Sequence, residues 1–488
     1  MKLHTNEKFT WSLITCKLPS TPVTIMEGPT STTSSLPAAG AADKEGKSAE
    51  FHPFSVSTPQ IRAFHLAWLS LFSNFVSTFS IPPLIPLIRA DLALSPSDLS
   101  SAATASFAGS ILSRFAMGPL SHLLGPATAS AALSFLTAPA VLSAALISSP
   151  ASFLVVRLLV GLSLGNFVAN QYWMTSIFSP SVVGLANGVS AGWANTGAAA
   201  AQFLMPQIHS LLLSLKLSSS AAWRLSFLIP GIFQLVMAAL VLVYGRGRDR
   251  ALTTESAKFR SETETASFWG VVVRYGLGDY RGWILGLAYA CSFGSELTTD
   301  NVVAGYFYDR FGLDLRAAGT IAAAFSLTNF FARPMGGVAS DAMGKRFGER
   351  GRVWALWAAL TAAGGICFAL GRAATLWGSV AVMCAFSVVV QAASGLVFGV
   401  VPFVSKRSMG VIAGMTGSGG TMGAVLTQLL LFSGSRFTTQ TSISLMGIVI
   451  IVCSLPVTLI YFPPTNKSDS KADQDVDGDE DYRLLQSN

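Results

Sequence analysis

Two arginines interrupt long apolar stretches of this chain, Arg114 within residues 106–118 and Arg333 within residues 321–337. A guanidinium group at the centre of an apolar helix costs about 2.5–3.5 kcal/mol on membrane-insertion scales, so arginines at such positions are rare and usually functional. The structural alternative is that each arginine reaches a membrane interface or bonds to a backbone carbonyl. The two positions are therefore the first candidates for chemistry inside the apolar part of the chain.

An internal repeat relates the two arginines. In both copies the arginine is followed by glycine after four residues, by a polar residue after eight and by another glycine after eleven. The copies are Arg114, Gly118, His122, Gly125 and Arg333, Gly337, Asp341, Gly344. A second pair of copies, at nearly the same offset, is Gly184, Gly188, Gly197, Ala198, Gln202 and Gly410, Gly414, Gly423, Ala424, Gln428. Such duplication predicts two similar halves, as in large transporter folds.

The repeat also predicts where the two guanidinium groups point. Repeat mates in such a fold meet near the bilayer midplane, so Arg114 and Arg333 are expected to face one cavity. Their like charges repel each other, and an anion between them would offset that repulsion. The guanidinium is a planar fork that holds planar oxyanions through paired hydrogen bonds. The predicted ligand is a small anion with delocalised charge.

Two glycine-rich segments, 192–197 and 417–423, lie in the stretches that carry the second repeat. Glycine in a membrane helix permits close backbone approach, which serves either tight helix packing or access of a small ion to bare backbone. In the second interpretation Asn195 and Thr421 add polar contacts. The glycines assigned to the site are Gly192, Gly197, Gly419 and Gly420.

The seventh apolar stretch carries an aromatic residue, Tyr289, and two acidic residues, Glu296 and Asp300. Burial of a carboxyl group in an apolar helix favours its protonated form, and a nearby arginine favours the ionised form. Glu296 is thus a candidate carrier of a coupling proton, and the alternative is a simple ion pair at the outer mouth. Asp300 is expected to be a rim or capping group.

Composition indicates a membrane protein: 51% of the 488 residues are hydrophobic and only 12% are charged, against about 25% charged in soluble domains. Twelve apolar segments predict an all-α fold of twelve transmembrane helices in two six-helix halves. Lys and Arg are more frequent in loops on the side of both tails, which are therefore predicted to be cytosolic. The expected regions are a disordered tail (1–59), a six-helix bundle (60–245), a cytosolic loop (246–280), a second six-helix bundle (281–463) and a disordered tail (464–488).

Several other functional classes are not supported. The sequence has no Gly-rich phosphate loop, and its five His and five Cys form no metal-binding spacing, so no cofactor, metal or enzymatic activity is predicted. The net charge of +7 comes from Lys and Arg in loops and tails and does not indicate nucleic-acid binding. The expected surroundings are a lipid bilayer.

Five stretches of the sequence resemble the nitrate/nitrite porter branch of the major facilitator superfamily, and within it the plant high-affinity nitrate transporters. The stretches are 63–70, 165–174, 191–197, 296–301 and 414–423. The resemblance implies alternating-access transport of nitrate, coupled to protons, with Arg114 and Arg333 binding the anion. It also implies that Tyr289 lies beside the anion and that Phe167 caps it. Many such transporters use a single-span accessory protein.

One family motif is altered. Members of the superfamily carry Gly-x3-Asp-x2-Gly-x-Arg after the second span, but here His122 follows Gly118 in place of Asp, and Ala127 replaces the Arg. The second copy of the motif is retained, with Gly337, Asp341, Lys345 and Arg346 at its positions. The substitution removes a charged latch on one side of the expected inner gate.

The C-terminal tail carries an acidic dileucine pattern, formed by Glu480, Leu484 and Leu485. This pattern resembles sorting signals for the plant vacuole. The sequence as a whole also resembles seed-expressed nitrate transporters of the vacuolar membrane. The vacuolar membrane is therefore the expected location, and the plasma membrane is the alternative. Transport of nitrite or chloride, and nitrate sensing without net flux, are the alternative functions.

Overall fold

The computed structural model describes residues 47–245, 277–313, 315–405, 409–432 and 437–462. In this part of the chain the backbone is almost entirely helical, and its β contacts amount to one isolated bridge between Ser48 and Phe178. The helices up to residue 245 are α1 (Pro59–Phe79), α2 (Ile85–Leu92), α3 (Pro96–Leu124), α4 (Pro126–Ser143), α5 (Pro150–Gly161), α6 (Asn166–Ile177), α7 (Val183–Ser214), α8 (Ser219–Ser226) and α9 (Leu228–Tyr244). Those after residue 277 are α10 (Tyr280–Tyr289), α11 (Ser295–Phe311), α12 (Leu315–Leu327), α13 (Asn329–Arg372), α14 (Leu376–Val400), α15 (Met409–Thr427) and α16 (Thr439–Ser454). The predicted all-α class is confirmed.

Several helices begin at a Ser or Thr that is followed by proline. The side-chain oxygens of Thr58, Ser95 and Ser149 each accept a hydrogen bond from the backbone amide three residues later, at 3.4, 3.2 and 3.2 Å. These bonds satisfy one of the free amides at the helix start, and the proline occupies a position where no amide is needed. Local sequence therefore determines where α1, α3 and α5 begin.

Seven helical stretches within the described residues are long and apolar enough to cross a membrane. They are Pro59–Leu84, Pro126–Leu146, Pro150–Ile177, Ser219–Tyr244, Thr320–Arg372, Leu376–Phe403 and Thr439–Leu459. The 53-residue stretch Thr320–Arg372 contains two of the predicted spans, and its helix breaks at Gly348, whose φ is 66°. The predicted spans outside these seven are also helical but less apolar, and they correspond to α3, α7, α10 with α11, and α15.

Two helix pairs join the two parts of the chain. Helix α3 packs along α15, and α7 packs along α13. A Cβ atom placed on Gly118 would lie 2.4 Å from the carbonyl oxygen of Gly410, and one on Gly337 would lie 2.2 Å from that of Gly184. Only glycine permits such close approach, so the repeated glycines are explained by these two helix–helix seams.

The boundary of the N-terminal tail differs from the prediction. Residues 47–58 were expected to belong to a disordered tail, but Ser48 pairs with the end of α6 through two backbone hydrogen bonds of 3.0 and 2.9 Å. The ring of Phe51 is buried against Phe64 and Phe178, with centroid distances of 5.0 and 5.1 Å. Burial of this aromatic side chain stabilises the segment against the bundle, an effect that a polar composition conceals. Residues 1–46 lie outside the described residues.

Candidate functional site

The arginines Arg114 of α3 and Arg333 of α13 lie close together inside the bundle. Their side chains are 0% and 1% exposed. Each guanidinium carbon lies 5.2 Å from the centre of the same ring, that of Phe293, so the two carbons are no more than twice that distance apart. The structure thus brings together the two residues that the internal repeat related.

Each side-chain nitrogen of Arg333 donates to a protein group. Its Nη2 donates to Glu296 Oε2 at 2.8 Å, its Nε donates to Asn329 Oδ1 at 2.6 Å, and its Nη1 donates to Tyr289 Oη at 3.3 Å. The amide of Asn329 also donates to the other oxygen of Glu296 at 2.7 Å. Glu296 is only 2% exposed, so the two charges form a buried and well-bonded ion pair.

Arg114 has a different environment. Its Nη1 donates to the backbone carbonyl of Gly417 at 2.6 Å. Its Nε and Nη2 are buried and have no hydrogen-bond partner among the described residues. An unsatisfied buried donor costs about 1–3 kcal/mol, and more when the group is charged. These two N–H groups form one side of the guanidinium fork and are suited to hold an anion.

These contacts correct one expectation about charge. The sequence predicted two arginines whose mutual repulsion only a bound anion would offset, but Glu296 already compensates Arg333. With two guanidinium groups and one carboxylate in direct contact, the site retains one positive charge on Arg114. A monovalent anion would balance it.

Stacked aromatic rings line the arginine pair. Tyr289 stacks on Phe293 with a centroid distance of 5.0 Å, and Phe167 is nearly parallel to both at 6.0 and 6.4 Å. Phe398 meets Phe167 edge-on at 4.9 Å. The guanidinium of Arg114 also lies 5.2 Å from the centre of the Phe167 ring. Phe167 and Tyr289 thus both adjoin the arginine pair, and their contact with a bound anion stays a prediction.

A π-helical turn, Ala290–Gly294, connects α10 to α11 directly after Tyr289. Such turns often occur at functional sites because they shift the direction of neighbouring side chains. A Cβ on Gly420 would lie 2.5 Å from the Tyr289 ring and 3.0 Å from the Phe293 ring. The glycine therefore provides the space that these rings occupy.

The glycines assigned to the site fall into two groups. Gly420 adjoins the aromatic rings, and a Cβ on Gly192 would lie 2.5 Å from the Asn329 carbonyl oxygen and 3.2 Å from Arg333 Cβ. Gly197 instead approaches Phe72 of α1, and Gly419 approaches Gly286 of α10. For these two glycines the alternative of tight helix packing applies, because they lie on helix faces that turn away from the arginines.

The polar side chains expected to contact the anion have other partners. The Asn195 amide donates to the Ala191 carbonyl of its own helix at 2.8 Å. Thr421 Oγ1 lies 3.4 Å from Ser110 Oγ across the α3–α15 seam. Among the described contacts, neither side chain reaches Arg114 or Arg333. Asp300 bonds to Ser326 at 2.7 Å one helical turn beyond Glu296.

The second copy of the gate motif forms a latch between α13 and α7. Asp341 accepts hydrogen bonds from the backbone amides of Gly184 and Leu185 at 3.1 and 2.7 Å. Its ion-pair partner is Arg352, at 2.8 Å. Lys345 and Arg346 were expected to contribute the latch charge, but their side chains are exposed. The helix continues past them and presents Arg352 to Asp341 from beyond the break.

Some residues of the site were not identified from the sequence, and some residues to which the sequence did assign a role lie outside the described part of the chain. Phe293 follows Tyr289 by four residues, and Asn329 precedes Arg333 by four, so helical spacing could have identified both. Arg352 and Phe398 have no such local signal. Glu480, Leu484 and Leu485, assigned to sorting, lie outside the described residues, as does most of the predicted loop 246–280.

Comparison with known proteins identifies related sequences. A family model described as Major Facilitator Superfamily matches residues 67–345. The high affinity nitrate transporter 2.7 of Arabidopsis thaliana is 58% identical over 433 residues, which cover 86% of this chain and 87% of that protein. The high affinity nitrate transporter 2.5 of the same plant is 49% identical over 436 residues, with coverage of 89% and 86%. The nitrate transporter 2.1 of Chlamydomonas reinhardtii is 40% identical over 427 residues, with coverage of 86% and 78%.

Solved structures share the fold at low sequence identity. The proton:xylose symporter XylE, bound to 6-bromo-6-deoxy-D-glucose, gives a TM-score of 0.60 at 14% identity and covers 82% of this chain and 96% of that one. The transporter FucP in the outward conformation gives 0.59 at 17% identity, with coverage of 81% and 99%. At these identities the likeness concerns the fold alone.

Proposed function

Because the chain belongs to the Major Facilitator Superfamily, and within it to the plant high-affinity nitrate transporters, we propose that it carries nitrate across a membrane by alternating access. The observation that supports this most strongly is the buried guanidinium of Arg114, which has two unpartnered N–H groups beside the arginine of the other repeat. The protein is a transporter and not an enzyme.

The proposed binding geometry follows from the fork of Arg114. Nitrate is planar, and two of its oxygens can accept the parallel N–H groups at Nε and Nη2. The rings of Phe167 and Phe293 adjoin the same guanidinium and exclude water, so its charge acts on the anion with little screening. Chloride is spherical and cannot engage the two donors in this way. The fork therefore favours nitrate, and also nitrite, over chloride.

Glu296 is the proposed proton carrier. When it is ionised it holds Arg333, and when it takes up a proton it releases that guanidinium to the anion. Binding of one nitrate together with one proton then leaves the net charge of the buried site unchanged. Because a released Arg333 guanidinium would be a buried charge without a counterion, its exchange of Glu296 for the anion links anion binding to protonation.

The proposal also includes two rocking halves and a location in the vacuolar membrane. The duplicated contacts of α3 with α15 and of α7 with α13 support two six-helix halves, at 60–245 and 281–463, that rock against each other. The dileucine pattern supports delivery to the vacuolar membrane. Microscopy of a fluorescent fusion, with and without alanine at Glu480, Leu484 and Leu485, tests this location against the plasma membrane, and co-purification tests for a single-span accessory protein.

The test of function is nitrate flux into proteoliposomes with an imposed pH gradient. Arg114→Lys and Arg333→Lys are expected to abolish most uptake, since an ammonium group lacks the planar fork. Arg62→Lys, at an exposed position of α1, is the matched control and should transport normally. Wild-type flux in Arg114→Lys would contradict the proposed site. Nitrate binding without flux in the unmodified protein would instead indicate a sensor, and competition by nitrite and chloride measures selectivity.

A further inference from the structure

The two seams between the repeats end in different latches. In both seams a polar side chain, eight residues after the site arginine, meets the start of a helix in the other half. Asp341 of α13 contacts α7 at Gly184, and His122 of α3 contacts α15 at Gly410. Gly184 and Gly410 are each the second residue of their helix, so the two contacts are structurally equivalent.

The histidine contact has a defined geometry. His122 Nε2 accepts a hydrogen bond from the Gly410 amide at 2.8 Å. Nδ1 lies 3.1 Å from the hydroxyl of Tyr172, whose ring packs against the imidazole at 4.6 Å. Because Nε2 accepts, it carries no proton. The neutral ring therefore has its proton on Nδ1 and donates it to the Tyr172 oxygen.

We propose that His122 is a positioning residue that latches α3 to α15 in place of the missing aspartate. Its neutral imidazole accepts from the first turn of α15, and Tyr172 fixes the tautomer that makes this possible. The altered motif therefore keeps a latch with an uncharged acceptor in place of the charged one that the sequence lacks.

The substitution makes the two seams unequal. A carboxylate has two oxygens and accepts from both Gly184 and Leu185, while a ring nitrogen has one lone pair and accepts a single amide. Asp341 also carries a charge, which Arg352 balances. The latch of the α3–α15 seam is therefore the weaker of the two, and this end of the seam is expected to open first when the halves separate at their predicted cytosolic ends.

The test measures how often the α3–α15 seam opens. Val411 is buried there, and its Cα would lie 3.3 Å from a Cβ placed on Gly118. A Val411→Cys substitution is made in a chain whose native cysteines are replaced by alanine, and the rate of maleimide labelling is followed in nanodiscs. The replaced residues are Cys16, Cys291, Cys367, Cys384 and Cys453.

A matched pair of variants separates the acceptor from the shape of the side chain. His122→Phe fills the space without an acceptor and should raise the labelling rate roughly two- to thirtyfold, the range for loss of one helix-capping bond. His122→Gln restores an acceptor at the same reach and should label within about twofold of the parent. Tyr172→Phe should give an intermediate rate. His209→Phe, which removes a buried imidazole elsewhere, should leave the rate unchanged.

Equal labelling of His122→Phe and the parent would overturn the proposal, as would equal rates for His122→Phe and His122→Gln. If His122→Phe does not fold, labelling of Tyr172→Phe at the parent rate gives the same negative result. The inference depends on rocking of the two halves but not on the identity of the anion. Labelling is measured without nitrate, so failure here and failure of the nitrate proposal are distinguishable.

Discussion

Replacement of Glu296 by glutamine tests how proton and anion are linked. The substitution keeps the size of the side chain and leaves an oxygen for the amide of Asn329, but it removes the charge that faces Arg333 at 2.8 Å. The site then has two buried guanidinium groups and no carboxylate in direct contact. The variant resembles the protonated state of the wild-type protein, fixed at every pH.

The structure gives the magnitude of the effect. Both partners are almost completely buried, and removal of one member of a buried ion pair costs about 3–5 kcal/mol. Nitrate can return part of this free energy as the new counterion of Arg333. Recovery of only about 1.4 kcal/mol corresponds to a tenfold lower dissociation constant. We therefore expect the Glu296→Gln protein to be less stable without nitrate, and to bind nitrate at least about tenfold more tightly at neutral pH.

The assay combines binding with flux. In the wild-type protein the ionised carboxylate competes with nitrate for Arg333, and this competition is absent in Glu296→Gln. In proteoliposomes the variant should exchange labelled for unlabelled nitrate but should not accumulate nitrate in response to a pH gradient. Asp91→Asn, which removes a carboxylate that pairs with Arg224 at 2.7 Å and with neither site arginine, is the control. Gradient-driven accumulation by Glu296→Gln at the wild-type level would refute the coupling role.

Further substitutions test the seam, the aromatic lining and an ion pair between α2 and α8. Gly118→Val should block transport and weaken the seam, since its Cβ would lie 2.4 Å from a backbone oxygen, and cross-linking across α3 and α15 would report the change. Phe293→Leu should weaken nitrate binding by about 1 kcal/mol, because both guanidinium groups lose a ring contact, and normal affinity in equilibrium binding would count against this role. The hydrogen bond from Arg224 lowers the pKa of Asp91, so the stability that this pair contributes is present above the ordinary pKa of an aspartate and is lost as the pH falls through the lowered value. Thermal unfolding of Asp91→Asn should accordingly show a small loss relative to the wild type at neutral pH and none in strong acid.

The features that could be predicted from sequence are those with a regular spacing. Apolar stretches bounded by proline and Ser or Thr predict the helices, and the repeated interval between Arg114 and Gly118, or Arg333 and Gly337, predicts two similar halves. These patterns are readable because helix geometry places residues four apart on one face. The proximity of the two arginines follows from the same duplication.

The asymmetry of the site could not be predicted, because it depends on contacts between distant segments. Glu296 and Arg333 are both visible as buried charges, but only the tertiary contact between their side chains decides that they pair and that Arg114 remains open. The choice of Arg352 over Lys345 as the partner of Asp341 depends on where the long helix breaks. Sequence spacing has no information on either point, since both are set by tertiary packing.

The most direct measurement is a structure of the protein determined with nitrate bound. We expect a planar anion beside the Phe293 ring, with two oxygens within about 3 Å of Arg114 Nε and Nη2. Nitrate bound elsewhere would contradict this expectation. So would a structure in which Nε and Nη2 of Arg114 donate to protein groups while nitrate is bound.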